Sequence, residues 1–102
     1  MNIKNKNLLI NKCYLNGAWV SSDKKIKVIN PATGELIVEV PDFGKKETAN
    51  AIDAAELAFK AWSKFTAHER SKILKKWYDL VIDNQDDLAT IMTAEQGKPL
   101  SE

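Results

Sequence analysis

At Pro41-Asp42-Phe43-Gly44 the hydrophobic period of the chain changes from two to about 3.6, and it does not change back. Before that point the apolar residues alternate in short runs. After it they recur at three- and four-residue steps up to Met92. Strands therefore come first and helices follow, with no strand between the helices. The architecture read from this order is a short β section followed by three helices.

The strand section reads in detail. "CYLNGAWV" holds Asn16-Gly17 between two short apolar runs, a two-residue hairpin signal, since a type I′ turn needs positive φ at both central residues. Tyr14-Leu15 is expected to pair with Ala18-Val20. "KIKVIN" alternates, with Ile26 and Val28 on one face. "NPATGE" is a loop in which Pro31 fixes φ and Gly34 suits the left-handed region. "LIVEV" is the next strand, with Leu36, Val38 and Val40 on one face, and Pro41 ends it because it brings no N–H to a ladder.

Three helices follow. The first is predicted over about 46–63, with Ile52, Ala55, Phe59 and Trp62 as its apolar stripe. Thr66-Ala67-His68-Glu69 matches a capping box and starts the second. Its stripe is Ile73, Leu74, Trp77, Leu80 and Val81. Asn84 is expected to end that helix and cap the third, and Asp86 and Asp87 suit the positive end of the third helix's dipole. Leu88, Ile91 and Met92 form its stripe. Gly97 breaks it, and Pro99 stands where another helix would open. Residues 1–13 are polar and are expected to be a loose tail. The helical faces are wider than the small β section can cover, so they are expected to pack on something else.

Composition excludes several classes. The formal charge is +1, from 15 basic and 14 acidic residues, which gives no field for nucleic acid. Hydrophobic residues make up 44% and charged ones 28%, the proportions of a globular chain rather than a disordered one. No apolar run reaches membrane-spanning length, and no membrane partner is expected. A single cysteine, Cys13, allows no internal disulfide and fits a cytoplasmic location.

No residue type is arranged as a site. Cys13 precedes a hairpin and is read as structural. His68, the lone histidine, has no cluster of partners for a metal. Gly97-Lys98-Pro99 lacks the longer glycine spacing and the hydroxyl residue of a phosphate loop, and a helix cap explains it. Arg70, Lys72, Lys75 and Lys76 are followed closely by Asp79 and Asp83 and read as a solvated helix face. Trp62 and Trp77 lie on apolar stripes and are expected to pack in a core.

Taken in order, "NPATGE", "AIDAAELAFKAW", "ERSKIL" and "EQGKPL" resemble the N-terminal portion of the NAD(P)-dependent aldehyde dehydrogenase superfamily. The resemblance runs from about Tyr14 to Glu102. Within the superfamily, "WYDLVIDNQDDLATIMTAEQGKPLSE" is most similar to succinate-semialdehyde dehydrogenases. The resemblance implies an α/β fold, of which this chain is the N-terminal fragment: a short hairpin and strand section followed by three amphipathic helices. It implies a division into a polar tail, 1–13, and a truncated scaffold of the cofactor-binding domain, 14–102. It implies NAD or NADP as cofactor of the parent enzyme, a homo-oligomeric parent, and chemistry through a cysteine thiohemiacetal, hydride transfer and thioester hydrolysis. The family's nucleophile Cys, base Glu and dinucleotide contacts all lie beyond Glu102, so no catalytic, cofactor-binding or metal residue is expected here, nor any cofactor bound by this chain. Three roles follow as expectations: an N-terminal segment inactive alone, an interaction module docking on a separately encoded remainder or an intact subunit, or a decayed gene product.

Overall fold

The computed structural model describes all 102 residues. Two separate antiparallel ribbons come first, β1 (Cys13–Leu15) with β2 (Ala18–Val20), and β3 (Lys25–Ile29) with β4 (Leu36–Pro41). Three helices follow: α1 (Lys45–Trp62), α2 (Ala67–Asp83) and α3 (Gln85–Gln96). The order of elements and the change of period at Pro41–Gly44 are as the sequence requires.

The β1–β2 turn is the one that Asn-Gly dictates. Asn16 has φ 47° and Gly17 φ 79°, both in the left-handed region. The register sets Tyr14 opposite Trp19, and the two rings meet edge-on at 5.1 Å between centroids. In the second ribbon Ile26 faces Val40 and Val28 faces Val38, giving one apolar side. An irregularity between Val28 and Ile29 shifts the register so that Ile29 meets Leu36. The connecting loop is held by Asn30, whose Oδ1 accepts from the amides of Ala32 at 2.9 Å and Thr33 at 3.3 Å. Gly34 closes it at φ 77°.

Helix starts follow local chemistry. The Thr66 hydroxyl accepts from the Glu69 amide at 3.1 Å, and Glu69 Oε2 accepts from the Thr66 amide at 3.0 Å, the reciprocal box the sequence spells. At Gly44 only the second half of this arrangement exists, since glycine has no side chain: Glu47 Oε2 accepts from the Gly44 amide at 3.0 Å. Gly97 takes φ 82° and donates to the Thr93 carbonyl at 2.8 Å, closing α3 as expected. Replacing Thr66 with Ala is expected to cost about 1 kcal/mol of local helix stability. Amide exchange at Glu69 should speed up while exchange in α1 stays the same.

Two expectations need correction. Residues 1–13 are not a loose tail. Lys6–Leu8 form a 3₁₀ turn, and Ile3 is buried, only 8% exposed. The physical reason is a contact across 82 and 83 residues of sequence, described below. Asn84 ends α2 but does not cap α3 with its side chain. Its Nδ2 donates back to the Leu80 carbonyl at 2.8 Å, and its Oδ1 accepts from Asn5 Nδ2 at 3.3 Å.

The molecule has almost no interior. Only Ile3, Pro41, Asp87 and Ala94 are buried. The accessible surface is 8355 Å², whereas a compact monomer of 11.5 kDa has about 5,800 Å². The radius of gyration is 16.6 Å, against about 13 Å for a compact chain of this length. The elements form an open shape, 47 × 33 × 20 Å, rather than wrapping around a common centre.

Candidate functional site: uncovered helix faces and an N-terminal clasp

On α2 the large apolar side chains keep 41–66% of their surface open. Every residue from Ser71 to Asp83 is exposed, including Trp77 at 66%. At about 100° per residue, Leu80, Ile73, Trp77, Val81, Leu74, Tyr78 and Ile82 follow one another around an arc of about 200°. The sequence-derived stripe stopped at five of these. Tyr78 and Ile82 extend it, and a helical-wheel reading would have found them. Trp77, expected in a core, stands on this bare arc. The remaining side carries Lys72, Lys75, Asp79 and Asp83. Lys75 pairs with Asp79 at 2.8 Å and lies 4.8 Å over the Tyr78 ring.

On α1 the predicted stripe is covered only in part. Ala51, Ala54, Ala55 and Ala58 face the β1–β2 turn across a groove of about 320 Å³. Ile52 and Phe59 lie to one side of that contact and stay open, Phe59 at 62%. Trp62 is half-buried and meets Phe65 edge-on at 5.9 Å. Cys13 lines a second apolar groove of about 250 Å³ with Tyr14, Leu15, Phe43 and Ala51. Glu47 also borders it, but its carboxylate is committed to the Gly44 amide.

The one buried carboxylate belongs to Asp87, in the first turn of α3. Its Oδ1 accepts from the Lys4 amide at 3.0 Å and its Oδ2 from the Asn5 amide at 2.7 Å. These bonds favour the charged form. They hold the Asp87 pKa below the usual aspartate value, first through Asn5 and then Lys4, with burial opposing and the Lys4 charge helping. The sequence suggested only a dipole match for Asp87. Its clasp on the N-terminal segment has no local signal.

The other singled-out residues do not converge. His68 is exposed on the first turn of α2, and no three His, Cys, Asp or Glu side chains come together as a metal cluster. Arg70 donates to the Phe65 carbonyl at 2.7 Å, so with Lys75 paired to Asp79 the basic residues form no free cluster. Lys98 follows the Gly97 cap, and its carbonyl accepts from the Thr93 hydroxyl at 2.6 Å. No helix is long and apolar enough to cross a membrane. A dinucleotide does not fit these residues. Its pyrophosphate needs free amides at a helix N-terminus, and here Glu47, Glu69 and the pair Asp86–Asp87 put carboxylates at all three.

Open helix faces and the Asp87 clasp on the N-terminal segment are thus the main surface features of the fold. The chain belongs to the aldehyde dehydrogenase family, whose model matches residues 19–102. It is 53% identical to the glutarate-semialdehyde dehydrogenase of Pseudomonas aeruginosa, over 100% of this chain and 22% of that protein. It is 45% identical to the NADP(+) succinate-semialdehyde dehydrogenase of Escherichia coli, again over 100% of this chain and 22% of that one. The crystal structure of succinate-semialdehyde dehydrogenase from Burkholderia pseudomallei superposes with a TM-score of 0.94 at 48% identity, covering 100% of this chain and 22% of that chain. The chain thus spans about a fifth of the length of the relatives it matches. The short strands and three helices are those of the N-terminal fifth of aldehyde dehydrogenases, as the resemblance implied.

Proposed function

We propose that this chain is the N-terminal scaffold segment of an NAD(P)-dependent dehydrogenase that oxidises succinate semialdehyde to succinate. The observation that carries this is 45–53% identity across the whole chain to enzymes named for semialdehydes of short dicarboxylic acids. Glutarate semialdehyde is the second reading, favoured by the 53% relative. The two substrates differ by one methylene, a difference worth about 1–3 kcal/mol in an apolar pocket. The choice rests with pocket residues outside this segment.

The chain supplies no nucleophile, base or oxyanion donor, and by itself it does not turn over aldehyde. Its contribution is to present α1, α2 and the hairpin as a preformed layer for the catalytic part of the enzyme. The test is a chimera in which residues 1–102 replace the matched segment of the Escherichia coli enzyme. Succinate-semialdehyde oxidation is expected within about tenfold of the parent, a change of no more than about 1.4 kcal/mol in the barrier. A folded, cofactor-binding chimera without that activity would sink the reading, and so would reduced cofactor formed by the 102-residue chain alone.

A further inference from the structure

We infer that Asn16 is a self-modifying site gated by its own hairpin: the closed β1–β2 turn keeps it an amide, and opening of the turn lets the Gly17 nitrogen attack the Asn16 side chain and convert it to aspartate and isoaspartate. This chemistry does not depend on the scaffold reading.

The pair itself is the reactive unit. The chain has eight asparagines, and Asn16 is the one followed by glycine. Gly17 has no side chain to shield its nitrogen, and an added Cβ there would meet nothing within 4 Å. Both residues are exposed, and the Gly17 N–H donates no hydrogen bond. Elsewhere a larger residue follows the asparagine, or, after Asn30, a proline whose nitrogen has no proton to lose. Once hydroxide removes its proton, the Gly17 nitrogen bonds to Asn16 Cγ and the side-chain nitrogen leaves as ammonia. Water then opens the cyclic imide. Attack at the Cγ carbonyl gives aspartate, and attack at the main-chain carbonyl gives isoaspartate. One water is taken up, one ammonia is released, and the chain gains one negative charge.

The turn supplies the gate. The imide ring is five-membered and nearly flat, so the Gly17 nitrogen must sit on the Cβ side of the Asn16 Cα–C bond. A type I′ turn holds its first central residue at about φ 60° and ψ 30°, and Asn16 at φ 47° fits it. At that ψ the nitrogen points almost directly away from Cβ, and the ring cannot close. The closed state has support on two sides. The Tyr14 and Trp19 rings meet at 5.1 Å across the ribbon, and the turn faces Ala51, Ala54, Ala55 and Ala58 of α1. The two products then differ. Aspartate keeps the turn, since Asp-Gly also suits type I′. Isoaspartate carries the main chain through Cβ and adds one methylene to a two-residue connection. Leu15 then no longer meets Ala18, nor Tyr14 Trp19, and a transient opening becomes permanent.

The experiment incubates the 102-residue chain at mildly alkaline pH, in buffer and in guanidinium chloride. Conversion of Asn16 is followed by peptide mass mapping, with the aspartyl and isoaspartyl peptides separated. Trp19→Ser, which removes the cross-strand ring, is treated in the same way. The wild-type chain is expected to convert at least about tenfold more slowly in buffer than in denaturant. Trp19→Ser should convert at least about threefold faster than wild type in buffer and no faster in denaturant. Equal wild-type rates in the two solvents overturn the gate, and no conversion in denaturant overturns the site itself. Trp19→Ser as slow as wild type in buffer overturns control by the ribbon. Nuclear Overhauser contacts between the Tyr14 and Trp19 rings read the products. They are expected in the unmodified chain and in Asn16→Asp, and are expected to vanish in the purified isoaspartyl chain. Their survival there overturns the permanent opening.

Discussion

Alone in solution, the 102-residue chain is expected to unfold without a sharp transition and to bind a hydrophobic dye strongly. Cooperativity comes from an interior shared by many side chains, and here four residues are buried while α1 and α2 keep most of their large apolar side chains open. A two-state domain of this size gives a urea m-value of about 1 kcal/mol/M or more. The expected value is well below that, with circular dichroism and tryptophan fluorescence following different curves because Trp19, Trp62 and Trp77 sit in unrelated surroundings. Helix content survives in part, since Glu47, Thr66 and Glu69 hold the starts of α1 and α2 by local bonds. Coincident, steep transitions with no dye binding would contradict the scaffold account and indicate a self-sufficient domain.

The second large effect concerns Asp87. Asp87→Asn replaces one of two acceptor oxygens with an NH₂ group, which meets an amide donor head-on. The N-terminal segment is then expected to leave α3, with exchange at the Lys4 and Asn5 amides accelerating at least about tenfold. Acid should act in the same direction. The folded-state pKa is depressed, so the stabilisation is fully present above the unfolded value of about 3.9 and is lost as pH falls through the lower folded value. Protection of Lys4 and Asn5 should therefore hold at pH 5 to 7 and fail only below about pH 4. Protection that persists at pH 2, or in Asp87→Asn, would show that Ile3 packing rather than the carboxylate anchors the segment.

The features legible in the sequence are those with local causes. Asn16-Gly17, Thr66 with Glu69, Pro41 and Gly97 each act through neighbours within four residues, and each does what its type implies. The family resemblance is of the same kind, since it rests on short segments in order. The clasp was not legible, because Asp87 meets amides 82 and 83 positions away and backbone amides leave no mark in composition. Periodicity read α1 only in part: Ala55 and Trp62 of its stripe are on the groove or half-buried, while Ile52 and Phe59 stay open. Trp77 was expected in a core that this chain does not contain. Local pattern located the apolar stripe of α2 but not how far it stands open.

The clasp also has a temporal side. Lys4 and Asn5 leave the synthesis machinery early, yet their acceptor is not made until 82 residues later. At about 5–20 residues per second that interval is roughly 4 to 16 s. Over that time Lys4 and Asn5 have no native partner, while both ribbons and the first two helices are being made. Lys4 and Asn5 are thus fixed long after they are made, when α3 presents the Asp87 carboxylate to them.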